Sequence, residues 1–298
     1  MAALAVGCLV GGGYPVLNHR QTTGTPAAAR PSSPSPTGSP PPSRATVADL
    51  LPDPAAAVRS ALAGYLTGRR AHAGIAVLDR VTGVSLAHND GVRFPTASVV
   101  KVDILATLLW QEQRTRRQLT TGQRRLATEM IIESDNDAAD ALWTAIGGAG
   151  GLAQANRAFG LTQTTPNRAG FWGVTTTTAA DQVRLLGVLT RPGGPLSASS
   201  QAYVLGLMGR VDAGQRWGDP RAATGTGAPA AYVKNGWLAS GADRQRWIVN
   251  SVGRIVEPGH DWLVAVLSNH EPTEGTGIAV VEHLAATALA GLRFAGTR

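Results

Sequence analysis

Cysteine is almost missing from this 298-residue chain: Cys8 is the only one, so no disulfide can close within it. Lysine is nearly as scarce. Of 27 basic residues only Lys101 and Lys234 are lysines, and the other 25 are arginines. Arginine keeps its proton in a protein, whereas a desolvated lysine can give one up, so this usage marks both lysines as places where the amine itself matters. Acid is thin in the middle of the chain, with no glutamate between Glu133 and Glu257. Charged residues make up only 16% against 43% hydrophobic, the balance of a globular domain with a rather neutral surface. Zinc-ligand spacings, helix-turn-helix signals and basic stripes interleaved with aromatics are all lacking. Despite a net charge of +7, nucleic acid is therefore not expected as a partner, and the charge suits solubility or an anionic surface. No metal or organic cofactor is expected, and monomer is the default assembly. Beyond the first residues, no stretch reads as long and apolar enough to span a membrane.

Three compositional zones follow one another. Residues 1–19 read as the remnant of a signal or membrane anchor. Leu4-Ala5-Val6-Gly7 before Cys8 resembles a loose lipoprotein cleavage site, although only seven residues precede the cysteine and none is basic. Residues 20–48 are rich in Pro, Ser, Thr, Gly and Ala, too polar to offset their ordering entropy, and read as a disordered linker. A folded domain is expected over 49–298. An apolar start and a proline-rich spacer fit a secreted domain or one anchored at the outer face of the cell envelope, touching membrane only through that anchor.

Within the domain, Asp53-Pro54 opens a helix with Val58, Leu62 and Leu66 on one face. Gly74–Asp79 and Gly83–His88 predict a hairpin, and an all-round apolar helix follows Pro95. Further helices are predicted near 122–133, 137–146, 150–158, 178–190 and 198–208, a helical subdomain over about 115–212. Thr178 with Asp181 has the spacing of a capping box. Three close-set strands, 231–238, 246–256 and 262–268, precede an amphipathic helix bearing Ile278, Val281, Leu284 and Leu289. The fold class is α/β in the α+β sense: a five-stranded antiparallel sheet flanked by helices beside a helical block.

Three short stretches carry candidate chemistry. In Arg93-Phe94-Pro95-Thr96-Ala97-Ser98-Val99-Val100-Lys101 a hydroxyl and an amine lie one helical turn apart, on the same side and within reach of each other. A lysine in so apolar a helix needs a partner or a lowered pKa. A helix-start serine with a snorkelling lysine would look the same. Glu133-Ser134-Asp135-Asn136 lies between two helices, where it can aim a hydroxyl and an amide at one space or merely cap the next helix. Val233-Lys234-Asn235-Gly236-Trp237 places the other lysine in mid-strand, next to a glycine that admits a close neighbour.

Taken in order, Ser-x-x-Lys, Ser-Asp-Asn and Lys-x-Gly resemble the class A β-lactamase family of penicillin-recognising serine enzymes, over roughly residues 50–295. The resemblance implies a β-lactamase/transpeptidase-like fold and a serine hydrolase acting on cyclic amides. It implies Ser98 as the nucleophile that forms an acyl-enzyme, Lys101 as acceptor or relay of its proton, and Ser134 as proton donor to the leaving nitrogen. Asn136, Lys234, Asn235 and Gly236 would bind substrate, and the backbone N–H groups of Ser98 and Trp237 would form the oxyanion hole. Two departures stand out. Hydrolytic members carry a glutamate in the loop after Ser-Asp-Asn, yet Gly160–Gly173 holds no acid, and Gln163 or Asn167 can position a water but not take its proton. Asn235 stands where the family has Thr or Ser. The expectation is an enzyme that acylates with β-lactams and deacylates slowly. The alternatives are a D,D-peptidase on peptidoglycan stem peptides and a non-catalytic, surface-tethered recognition domain.

Overall fold

In the computed structural model, residues 54–69, 72–223 and 230–293 are described. Asp53, the anchor-like segment and the linker lie outside them. Eight α-helices and seven strands are described: α1 (Pro54–Leu66), β1 (His72–Asp79), β2 (Ser85–His88), β3 (Phe94–Pro95), α2 (Val100–Arg114), α3 (Thr121–Thr128), α4 (Asn136–Ala145), α5 (Gly148–Phe159), β4 (Thr176–Thr177), α6 (Ala179–Val188), α7 (Ala198–Met208), β5 (Ala230–Ser240), β6 (Arg246–Glu257), β7 (His260–Glu271) and α8 (Glu274–Arg293). Five strands form an antiparallel sheet in the order β2-β1-β7-β6-β5, while β3 and β4 pair as a separate short ribbon. The five-stranded sheet with its helical subdomain has the β-lactamase/transpeptidase-like architecture that the sequence implies.

Alternation along the strands sorts the core. Ile75, Val77, Trp262, Val264 and Val266 face α1 and α8, whereas Ala76, Ala265 and Leu267 face the opposite side, with Phe94, Val99 and Ala179. α8 is long and apolar enough by composition to cross a membrane, a property expected only of the first residues. Its apolar face, Val280, Val281, Leu284, Ala288 and Leu292, is buried in the sheet cluster, so core packing accounts for that apolarity.

The helical block forms around α2, whose residues Val100 to Trp110 are all buried. Two local expectations are corrected. The helix predicted near 122–133 is α-helical only to Thr128 and then widens into a π-helical turn, Glu129–Glu133. The Thr178 hydroxyl does accept the Asp181 N–H, at 3.1 Å. The Asp181 carboxylate does not return the bond, because it accepts from the Gln163 N–H (2.8 Å), the Thr164 hydroxyl (2.9 Å) and Arg184. Asp181 thus ties the 160–165 segment to α6. The reciprocal capping box is at Thr120 and Gln123 instead.

Candidate active site

Ser98 lies in a 3-10 turn, Ala97–Val99, that leads directly into α2. Two features of the sheet fix this turn. Asn250 of β6 is fully buried and donates its amide to the carbonyls of Pro95 and Thr96, both at 2.9 Å, while the Ser268 N–H is donated to its Oδ1. Opposite Asn250 in the register is Gly236 of β5. A Cβ built at Gly236 would lie 2.5 Å from the Ser98 nitrogen and 2.8 Å from that of Val99, so only glycine permits the strand to approach so closely. The backbone also carries strain here. Ala97 has φ 46° and Ser134 φ 59°, left-handed values that cost a non-glycine residue about 1–2 kcal/mol each.

Ser134 follows the π-helical turn, and its left-handed conformation ends that helix. Asp135 caps α4 by accepting the Ala138 N–H at 2.7 Å, which leaves Ser134 and Asn136 for other partners. Both go to Lys101. Its fully buried Nζ donates to the Ser134 carbonyl (2.6 Å), the Asn136 Oδ1 (2.8 Å) and the Ser134 Oγ (3.3 Å). Lys234, equally buried, donates to the same Ser134 Oγ at 2.9 Å and to the Asn235 carbonyl at 3.1 Å. One hydroxyl is thus held between two buried amines. Burial pushes the Lys101 amine down to about 8 against the pull of Asp135 and Asp140. Burial also lowers Lys234, to about 7, with repulsion from Lys101 as the second cause. The hydrogen bonds of the Lys101 amine all go to Ser134 and Asn136, and the Ser98 hydroxyl makes none among the described residues.

Strand parity divides the Lys234 motif. Lys234 and Gly236 face the Ser98–Ser134 side. Asn235 faces the other side, donates its amide to the carbonyls of Gln215 and Trp217 (2.8 Å each) and is fully buried. A substrate-binding side chain was expected at Asn235, and the structure commits that side chain to a neighbouring segment. The Trp237 indole also turns that way, with its ring centroid 5.8 Å from that of Trp217, so only the backbone of Trp237 remains for the cleft. β5 is an edge strand, with one flank outside the ladder.

Three further residues at the site were not read from the sequence. Trp172 lies with its ring centroid 4.8 Å from Lys101 Nζ, and its Nε1 donates to Asp140 at 2.6 Å. Asn250 is the third. An Asn-Ser pair amid the apolar run of β6 was its sequence signal, whereas Trp172 lies in the acid-free loop with no such signal. Among the described residues no group of three or more His, Cys, Asp or Glu side chains gathers as a metal site would.

A family model described as "Beta-lactamase enzyme family" matches residues 114–292, more than half of the chain. The chain belongs to the β-lactamase enzyme family. That match includes Ser134, Asn136 and Lys234 and begins after Ser98 and Lys101. Solved β-lactamase-type folds cover nearly their whole length here. The structure of PBP-A aligns with TM-score 0.69 at 20% identity, over 80% of this chain and 97% of that one. The TLA-1 extended-spectrum β-lactamase aligns with TM-score 0.70 at 17% identity, over 80% and 99%. Both likenesses concern the fold. In sequence, the chain is 28% identical over 213 residues to proteins of Mycobacterium tuberculosis and Mycobacterium bovis named "Putative lipoprotein LppW". The aligned region covers 70% of this chain and spans 66% of those relatives' length.

Proposed function

We propose that this β-lactamase-family member is a penicillin-reactive serine hydrolase whose acyl-enzyme on Ser98 is released slowly. The observation that carries the reading is the Ser134 hydroxyl held between two buried, acidified lysines. With a pKa of about 8, roughly a tenth of Lys101 is neutral at pH 7, against about one part in 3,000 for an ordinary lysine. In the proposed step the Ser98 Oγ attacks the amide carbonyl and its proton passes to the neutral Lys101 amine. The Oγ–C bond forms, the C–N bond breaks, and Ser134 gives a proton to the leaving nitrogen. Ser134 is reprotonated from the lysines beside it. The Lys234 amine, as a cation, attracts the substrate carboxylate, and Asn136 holds the side-chain amide. A point mutant of PBP-A has been solved as an acyl-enzyme complex with penicillin G, and the shared fold supports the same chemistry here.

Intact-mass spectrometry with a penicillin tests this. A persistent adduct on the Ser98 peptide is expected. No adduct, or rapid regeneration with steady turnover, would sink the reading. The acid-free segment from Gly160 to Gly173 favours a second reading, a D,D-peptidase whose ester is resolved by an amine. Release of D-alanine from a stem-peptide mimic, faster than turnover of a chromogenic cephalosporin, would select it. We also propose a location at the outer face of the cell envelope, supported by Cys8 and by the lipoprotein name of the relatives. Incorporation of labelled lipid lost in Cys8→Ser is the check.

A further inference from the structure

The two carboxylates that pull on Lys101 are both engaged. Asp135 accepts the Ala138 N–H as a helix cap, and Asp140 accepts the Trp172 indole N–H. Three acceptors and one aromatic face surround Lys101 Nζ: the Ser134 carbonyl, the Ser134 hydroxyl, the Asn136 amide oxygen and the Trp172 ring. The Trp172 segment is joined to the Ser98 turn through Thr175 and Thr96. The Thr96 N–H donates to the Thr175 carbonyl at 2.8 Å, and the Thr175 N–H donates to the Trp172 carbonyl at 3.0 Å. Thr96 is itself two residues from Ser98 and sits under Asn250. The segment that carries the indole is thus hydrogen-bonded to the turn that carries Ser98.

We propose that Trp172, latched by Asp140, is a water gate over Lys101 that sets the lifetime of the ester on Ser98. The second half of this statement rests on the acyl-enzyme reading above; the first does not. Hydrolysis of the ester needs a water oxygen to bond to the acyl carbon, a base to take the water's proton, and the C–Oγ bond to break as Ser98 regains a proton. The ring denies water the approach to Lys101, and the indole N–H occupies the one nearby carboxylate that is not a helix cap. Removing the ring opens the first and frees the second.

Because Lys101 and Lys234 are the only lysines, reductive methylation followed by peptide mapping reads each amine separately. In Trp172→Ala, methylation of Lys101 should rise at least about tenfold while Lys234, the internal control, stays within about twofold. Trp172→Phe keeps a ring and loses the latch, and should rise by less; it also guards against misfolding of the alanine variant. Unchanged Lys101 reactivity in both variants overturns the gate. In a second arm, the penicillin adduct of Trp172→Ala should lose its acyl group at least about tenfold faster than that of the unsubstituted protein. An exposed Lys101 with an equally durable adduct overturns the role in ester lifetime. If the unsubstituted protein forms no adduct at all, the hydrolase reading fails, and with it the ester-lifetime half of this proposal; the methylation arm still decides the gate.

Discussion

Two ionisable side chains two residues apart on α2 show opposite solutions to burial. Lys101 and Asp103 are both essentially inaccessible to solvent. Lys101 is met by three oxygen acceptors and a ring face, and burial lowers it to about 8. The Asp103 oxygens have no hydrogen-bond partner among the described residues. Burial pushes that carboxyl up to about 8, against the Asn156 amide and with added repulsion from Asp181. A carboxyl so raised is neutral at pH 7. The lysine has oxygen acceptors on several sides, while the aspartate has only the Asn156 amide to favour its charge and gives that charge up. Burial alone therefore does not separate a candidate site residue from a structural one; the arrangement of partners is what differs between these two.

The sharpest way to break the contrast is Lys101→Arg. Charge and donors survive, but the guanidinium cannot take the serine proton, so acylation by a penicillin should fall on the order of a thousandfold, followed by intact mass. Near-normal acylation would remove Lys101 from the proton path. Gly236→Ala comes next. Its Cβ would push on the Ser98 and Val99 nitrogens, and acylation should drop about a hundredfold while circular dichroism reports an intact fold. Asn250→Ala leaves the Pro95 and Thr96 carbonyls without their donor and should cost about 2–3 kcal/mol in a urea titration, with slower acylation as the turn loosens.

The smallest effect tests the other side of the comparison. Between its usual pKa of 3.8 and about 8, folded Asp103 binds more proton than the unfolded chain does. Its contribution to stability is therefore fully present below pH 4 and is lost as pH rises toward 8. Asp103→Asn removes that slope, so the variant should gain on the unsubstituted protein from pH 4 to 7 in parallel denaturant titrations. The buried lysines act with the opposite sign, since the unfolded chain binds more proton above their folded values. They raise stability only from about pH 7 upward, outside that window. A difference that does not change with pH would mean that Asp103 is ionised in the folded state.

Much of the fold was legible because periodicity is a local property. The three late strands, the all-round apolar helix after Pro95 and the α8 stripe each follow from spacing alone, and their pairing into one sheet follows from short connections. The π-helical turn before Ser134 was not legible, since an α-helix and a π-helix share composition. Asp181 misled for a related reason: its position relative to Thr178 suits a capping box, but only tertiary packing reveals the Gln163 and Thr164 donors.

What the sequence determined by itself was the set of candidate groups: two lysines in an arginine-rich chain, Ser98 and Ser134 at their spacings, and a central loop without acid. Tertiary structure alone decided how those groups are connected. It set the Lys101 amine against Ser134 and Asn136, sent the Asn235 amide to Gln215 and Trp217, and brought Trp172 over the amine. The physical reason is that hydrogen bonds and buried charge depend on ångström-scale direction between elements far apart in the chain. Residue spacing fixes direction only within a single helix or strand.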